Sequence, residues 1–148
     1  LGKSSDILKA AYNLYPDSGM VLNNLVYGLA QDPATLDEAV RLLPELEKIP
    51  DKTFHVYDTM AMVNLKNGRI DEARKNMQEA LKLLEKGGYS ADEVKLNAAE
   101  LLLRTGDAAA AQEHVESVQS DPERSNMIDR KARDLFEKIR EETRSRGK

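Results

Sequence analysis

Apolar residues recur every three or four positions along most of the chain, which is the spacing of one face of an α-helix. The stretch 19–31 shows this plainly, with Val21, Leu22, Leu25 and Leu29 on one side. The same period predicts eight helices in all, over about residues 4–14, 19–31, 35–48, 52–66, 70–86, 90–104, 108–119 and 123–144. Neither strand-length alternation nor a β-hairpin turn signal interrupts them. The pattern predicts an all-α fold.

Residues that favour helix ends separate these stretches. Thr35 and Glu38, and again Ser90 and Glu93, have the spacing of a capping box, in which a hydroxyl and a carboxylate satisfy free amides at a helix start. Gly68 follows the fourth stretch and predicts a left-handed helix end, which glycine adopts without strain. These signals predict short connections between the helices.

Small residues recur at matched positions in successive helix pairs. Ala39 and Ala73 are 34 residues apart, and Ala73 and Ala111 are 38 residues apart, as are Gly68 and Gly106. A period of 34 residues is typical of helix–turn–helix units that bury their apolar faces by stacking. We therefore expect the three alanines to be buried where the helices of a pair cross. The rival interpretation is a helical bundle in which this spacing is accidental.

The central unit, residues 53–86, resembles a tetratricopeptide (TPR) repeat. Tyr57 is the aromatic residue that opens its first helix, Gly68 forms its turn, and Ala73 lies in its second helix. The resemblance implies a TPR-like α–α superhelix, a right-handed solenoid, formed by a single domain over residues 1–148. Its parts are a half repeat at 4–16, repeats at 19–50, 53–88 and 90–122, and a C-terminal capping helix at 123–146.

Two short segments are similar to repeats of bacterial envelope and polysaccharide-export TPR proteins. They are Asn23-Asn24-Leu25 in the first full repeat and Asp58-Thr59-Met60-Ala61 in the second. This similarity implies a bacterial protein, and because residues 4–16 resemble the second helix of an earlier repeat, we expect the chain to be part of a longer array.

Composition limits the function more than the fold. With no Cys and two His, the 148-residue chain lacks disulfides, cysteine nucleophiles and thiolate or histidine-rich metal sites. Its net charge of −4 is not that of a broad nucleic-acid-binding surface. Residues 123–148 carry a net charge of +3, but the signs alternate as on a solvated helix face. No apolar run approaches the roughly 20 residues of a membrane span. We expect no nucleic-acid partner and no direct membrane insertion. We expect a soluble chain, and the sequence leaves open whether it lies on the cytoplasmic or the periplasmic side of a larger protein.

The sequence contains no constellation of catalytic groups. His55 and Asp58 could meet one turn apart on a helix, but no third member lies within reach along the sequence. His114, beside Glu113 and Glu116, fits a surface position. An enzyme needs convergent groups such as a nucleophile with its base, so we expect a non-enzymatic protein with no cofactor and no metal.

The TPR resemblance implies a concave groove, lined by the first helix of each pair, that holds a peptide or helix of a partner protein. Projecting those helices outward gives thirteen groove candidates: Asn23, Asn24, Tyr27, Gln31, His55, Asp58, Thr59, Met62, Lys66, Glu93, Asn97, Glu100 and Arg104. Amides can pair with a partner's backbone, and Tyr27 and Met62 offer apolar anchors. Some TPR proteins clamp acidic tails with basic residues, but the corresponding positions here hold Asn23, Tyr27, Thr59, Glu93 and Asn97, so such a clamp is not expected.

The alternative function is self-assembly. Either end helix could dock on a neighbouring copy. The N-terminal helix, 4–16, offers Ile7 and Leu8, and the capping helix offers an apolar stripe with Leu135, Phe136 and Ile139. A protein that is monomeric at every concentration would exclude this alternative.

Overall fold

The computed structural model describes residues 2–87, 91–118 and 126–147. Within these ranges the chain is helical and contains no strand, which confirms the all-α prediction. These ranges contain eight α-helices: α1 (Gly2–Leu14), α2 (Gly19–Ala30), α3 (Leu36–Glu47), α4 (Phe54–Lys66), α5 (Ile70–Gly87), α6 (Asp92–Arg104), α7 (Ala108–Ser117) and α8 (Asn126–Arg146). A short 3₁₀ helix, Pro33–Thr35, precedes α3. No helix in the described ranges is long and apolar enough to cross a membrane.

The chain divides into two compact units, Leu1–Leu83 and Leu84–Lys148, and the division falls within α5. In the first unit α2 packs against α1, α3 and α4, and α3 also contacts α4. The core of this unit includes Val26, Leu29, Ala39 and Leu46, all of which are almost completely buried. Leu22 and Val56 also belong to this core, so it includes the first turn of both α2 and α4.

In the second unit α6 packs against α7, and α8 contacts both. Its core contains Leu96, Ala99, Ala111, Leu135 and Ile139. The neighbours of α8 therefore correspond to those of α4, which contacts both helices of the α2–α3 pair. Within each unit, a pair of helices is followed by a helix that packs on both.

The three repeated alanines have no exposed surface. Ala39, Ala73 and Ala111 are each 0% exposed, and Ala39 and Ala111 belong to the cores of their units. This confirms the prediction that they are buried. The right-handed superhelix and the division into TPR repeats stay predictions.

Gly68, after α4, confirms the left-handed helix end predicted there, and Gly106, after α6, adopts the same conformation. Gly68 has φ +78° and Gly106 has φ +88°. After α4 the Arg69 amide donates to the Asn64 carbonyl oxygen at 2.8 Å. After α6 the Asp107 amide donates to the Leu102 carbonyl oxygen at 2.9 Å. Both are the six-residue closure of a Schellman motif.

The capping box predicted at Thr35 is wrong. Its hydroxyl makes no cap hydrogen bond to α3 and instead donates to the Leu29 carbonyl oxygen at 2.7 Å, at the end of α2. The reason is the 3₁₀ turn, which Asp32 begins by accepting from the Ala34 amide at 2.9 Å. The second box begins at Ser90, which lies outside the described residues; the residue that precedes α6 is Ala91, which makes no side-chain cap.

Candidate functional site

Four of the thirteen groove candidates are buried: Asp58, Thr59 and Met62 on α4, and Asn97 on α6. The expectation that these four project outward is wrong. On α4 the reason is that every residue from Val56 to Leu65 is buried except the half-buried Tyr57. A helix that is apolar on all sides is typically buried all round, and the Val, Met, Ala and Leu content of α4 carried that signal.

The other nine candidates have exposed surface. Asn24, Gln31, His55, Lys66 and Arg104 are exposed, whereas Asn23, Tyr27, Glu93 and Glu100 are half-buried. Those of the first unit gather around two pockets, except Lys66, which lines neither, and those of the second unit lie along α6.

Of these two pockets, the larger lies between the starts of α2 and α4, and we call it the α2–α4 pocket. Its volume is about 480 Å³, within the range of small ligand sites. It is lined by Gly19, Met20, Asn23, Asn24, Ile49, Asp51, Thr53, His55 and Val56. The structure thus brings three candidates from two helices, Asn23, Asn24 and His55, to one site.

Local sequence signals determine the backbone conformation of the segments beside the α2–α4 pocket. Ser18 caps α2, its Oγ accepting from the Val21 amide at 3.3 Å. Asp51 takes a left-handed conformation at φ +48° in the turn before α4. The Lys52 side chain does not line the pocket, and its Nζ donates to the Ile49 carbonyl oxygen at 2.9 Å. The pocket therefore has one carboxylate and no Lys or Arg among its lining residues.

Two side chains in this pocket are unusual. The Asn23 Oδ1 atom is buried and has no hydrogen-bond partner within the protein. Met20 is 73% exposed, although it is a large apolar residue. Sequence reasoning named Asn23 but missed Met20, whose position in the first turn of α2, beside the predicted groove, was the available signal.

The second pocket of this unit lies between α1 and α2 and has a volume of about 360 Å³. It takes in Asn24, Tyr27 and Gln31, together with Ser4, Ser5, Leu8, Gly28 and Asp32. Gln31 is partly engaged, since its Nε2 donates to the Tyr27 carbonyl oxygen at 3.2 Å. Asn24 lines both pockets and so joins them along α2.

Several other candidates hold helices together. Lys66 Nζ donates to the Ala30 carbonyl oxygen at 2.5 Å, which ties the end of α4 to the end of α2. In the second unit the buried Asn97 Oδ1 accepts from Lys131 Nζ, which also lies 3.8 Å from Glu100 Oε2. These bonds join α6 to α8. Lys131 was missed, although it stands one 34-residue period after Asn97.

The second unit has its own surface depression between α7 and α8, of about 420 Å³. It is lined by Gln112, Phe136, Ile139, Arg140, Thr143 and Arg144. Phe136 was predicted to share the apolar stripe of the capping helix, but it is 38% exposed, whereas Leu135 and Ile139 are buried.

The two histidines lie in different surroundings. The rings of His55 and Phe54 are 4.0 Å apart between centroids. Burial lowers the pKa of His114 from its ordinary value of 6.5, Glu113 opposes this shift, and Lys95 adds to it.

In the described part of the chain no three His, Asp or Glu side chains are grouped so that they could hold a metal ion.

Comparison of the chain with family models, with curated proteins and with solved structures found no match. The described fold defines the class, an all-helical protein in which helix pairs are followed by a helix that packs on both.

Proposed function

We propose that the chain is a non-enzymatic interaction scaffold that binds a peptide or helix of a partner protein. The observation that carries this proposal is the α2–α4 pocket, in which two amides and an imidazole stand beside an exposed methionine. Apolar surface with a few polar groups around it is typical of surfaces that bind other molecules.

The repeat supports the same proposal. Buried alanines at matched positions and two identical helix ends fit stacked helical hairpins, and the TPR resemblance adds a groove along the first helices. In the first unit those helices are α2 and α4, and their first residues line the pocket.

Selection from a random peptide library on the immobilised chain tests the proposal. We expect the selection to enrich peptides that bind the chain, and Met20→Glu to weaken their binding at least about tenfold, because a charge would be placed in the apolar part of the surface. Gln112→Ala, in the second unit, is the control and should leave binding unchanged. Failure to enrich any peptide, or equal loss in both variants, would contradict the proposal.

A second candidate function is self-assembly through the end helices. It is favoured by Ile7 and Leu14, which lie two turns apart on α1 and are 69% and 73% exposed. Sedimentation velocity over a wide concentration range tests it: self-assembly predicts a species that grows with concentration and is lost in Ile7→Glu. A monomer throughout excludes it.

A further inference from the structure

We infer that a second copy of this chain docks on the surface between α7 and α8, with the two α8 helices antiparallel about a twofold axis. This docking goes beyond the binding of a partner peptide. It also uses a different surface from the exposed Ile7 and Leu14 of α1.

Phe136 joins two depressions into one surface. It lines the depression between α7 and α8 described above, and also a second one of about 500 Å³, between the end of α7 and the first half of α8. We call the residues that line these two depressions the α7–α8 face. Phe136 is 38% exposed, whereas Leu135 and Ile139 are buried. Aromatic residues near the centre of a surface are common anchors of protein–protein contacts, so this face has an apolar anchor between its halves.

The two halves of the α7–α8 face carry opposite charge. Of the described residues, those that line the half toward the end of α8 include two cations, Arg140 and Arg144, and no carboxylate. The other half is lined by one cation and three carboxylates: Arg133, Glu116, Asp134 and Glu137. The net charges of the lining residues are therefore +2 and −2.

The other charged side chains of this region lie outside both halves. Lys138, Glu141 and Glu142 of α8 and Glu113 of α7 line neither depression. Lys138 and Glu141 have opposite signs, and Glu142 is paired with Arg146 at 3.0 Å. The charges that a docked surface meets are therefore those of the two halves.

Within one copy these charges are loosely paired. Glu137 Oε1 lies 3.8 Å from Arg140 Nη1, and both side chains are more than half exposed. An exposed ion pair at this distance contributes little to stability. Glu116 accepts from Gln112 Nε2 at 2.6 Å, which leaves the charge of the carboxylate in place. Both halves can therefore engage charges of another molecule.

A face divided in this way is its own complement. A twofold contact places the same patch on both subunits, so the basic half of one copy meets the acidic half of the other. With the axis between positions 138 and 139 of α8, Glu137 faces Arg140 of the second copy, and Asp134 lies within one residue of the level of Arg144. Arg133 is a like charge near that Arg144, but the carboxylates of its half outnumber it.

This match selects a second copy as the occupant, because the face itself supplies the complementary charges on either side of an aromatic residue. The contact is short: residues 133–144 of α8 span about 17 Å at 1.5 Å per residue. We therefore expect a dimer that dissociates on dilution. Since a twofold contact occupies the face on both copies, assembly should stop at the dimer.

Sedimentation equilibrium of the full chain, from low to high micromolar concentration, tests this docking. We expect the native chain to form a dimer and no larger species. Raising the NaCl concentration should weaken the dimer at least about fivefold, because charges at an exposed contact are screened. Phe136→Ser should weaken it at least about tenfold, because the aromatic anchor is lost.

Two charge-reversed variants test the pairing itself. One carries Asp134→Lys and Glu137→Lys, and the other carries Arg140→Glu and Arg144→Glu. Each variant alone has a face of predominantly one sign and should stay monomeric, whereas their equimolar mixture should dimerise at least about tenfold more tightly than either alone. Lys138→Glu, on the same helix but outside both halves, is the control and should leave the native dimer unchanged. All these residues are exposed, so the variants stay informative if loss of the aromatic ring disturbs folding.

Three results would overturn the inference: a native chain that is monomeric at the highest concentration, growth beyond the dimer, or a mixture that associates no more tightly than its components. A library-selected peptide that binds a monomeric chain at this face, and is lost with Phe136→Ser, would assign the face to a partner and overturn it too.

Failure here is distinguishable from failure of the proposed functions. If self-association is lost in Ile7→Glu but kept in both charge-reversed variants, assembly through α1 stands and docking through the α7–α8 face is wrong. Peptide binding at the α2–α4 pocket is tested separately and depends on neither result.

Discussion

The guanidinium of Arg146 donates a hydrogen bond from Nη1 to the Gly106 carbonyl oxygen at 2.9 Å, which joins the last turn of α8 to the turn between α6 and α7. Glu142 holds the same guanidinium, its Oε1 lying 3.0 Å from Nη2. The end of α8 is thus fastened to the helix pair on which it packs.

Arg146→Ala should lower the stability of the second unit by about 0.5–1 kcal/mol, because an exposed charge-assisted hydrogen bond is lost. Arg144→Ala is the matched control, since it removes the same charge from the same helix end without removing a bond to the α6–α7 turn. Thermal unfolding followed by circular dichroism measures both, and equal effects of the two variants would contradict this role for Arg146.

Gly68→Ala should destabilise the protein by about 1–2 kcal/mol, because φ at this position is +78° and a side chain is strained there. No atom lies within 4 Å of the position of an added Cβ, so the effect is one of backbone conformation alone. Gly68→Asn should cost less, since asparagine tolerates this region. Gly147→Ala, at ordinary contact distances, should change the urea midpoint little; an equal loss there would contradict the interpretation.

Ala111→Leu should cost about 1–3 kcal/mol, because the residue is 0% exposed and a larger side chain overpacks the α6–α7–α8 core. The same change at Ala109, which is exposed on the same helix, is the control and should stay within about 0.5 kcal/mol. Urea denaturation gives both values. Equal stability of the two variants would show that the alanine repeat is not a packing constraint.

The stability contribution of His114 should depend on pH. Burial lowers its folded-state pKa below 6.5, so the unfolded chain binds more protons in the interval between the folded and unfolded pKa values. This contribution is therefore fully present above 6.5 and is lost as the pH falls through the folded-state pKa. Compared with His114→Gln, the native chain should lose more unfolding free energy between pH 7.5 and 5.5. Parallel pH profiles would contradict this.

The sequence predicted the helices and the alanine packing because both depend on local or periodic signals. The 3.6-residue period placed α2 and α5 within a residue of their observed ends. The matched spacing of Ala39, Ala73 and Ala111 predicted burial without any knowledge of contacts.

The site was harder to predict, because it depends on which faces of a helix are covered. Projection of α4 as an amphipathic helix put Asp58, Thr59 and Met62 outside, whereas the helix is buried on nearly every side. Asn97 was placed in the groove, but its oxygen is bonded to Lys131 of α8. Met20 escaped notice because its exposure is a property of the packed unit rather than of its residue type.

Hydrogen–deuterium exchange of the full chain, with and without a library-selected peptide, tests the central claim most directly. The first amides of a helix have no intrahelical acceptor and exchange readily, so a bound peptide is easily detected there. We predict protection in the segments 19–24 and 53–56, which line the α2–α4 pocket, and little change along α7. Protection confined to other segments, or none on peptide binding, would contradict the claim that this pocket is where the scaffold holds its partner.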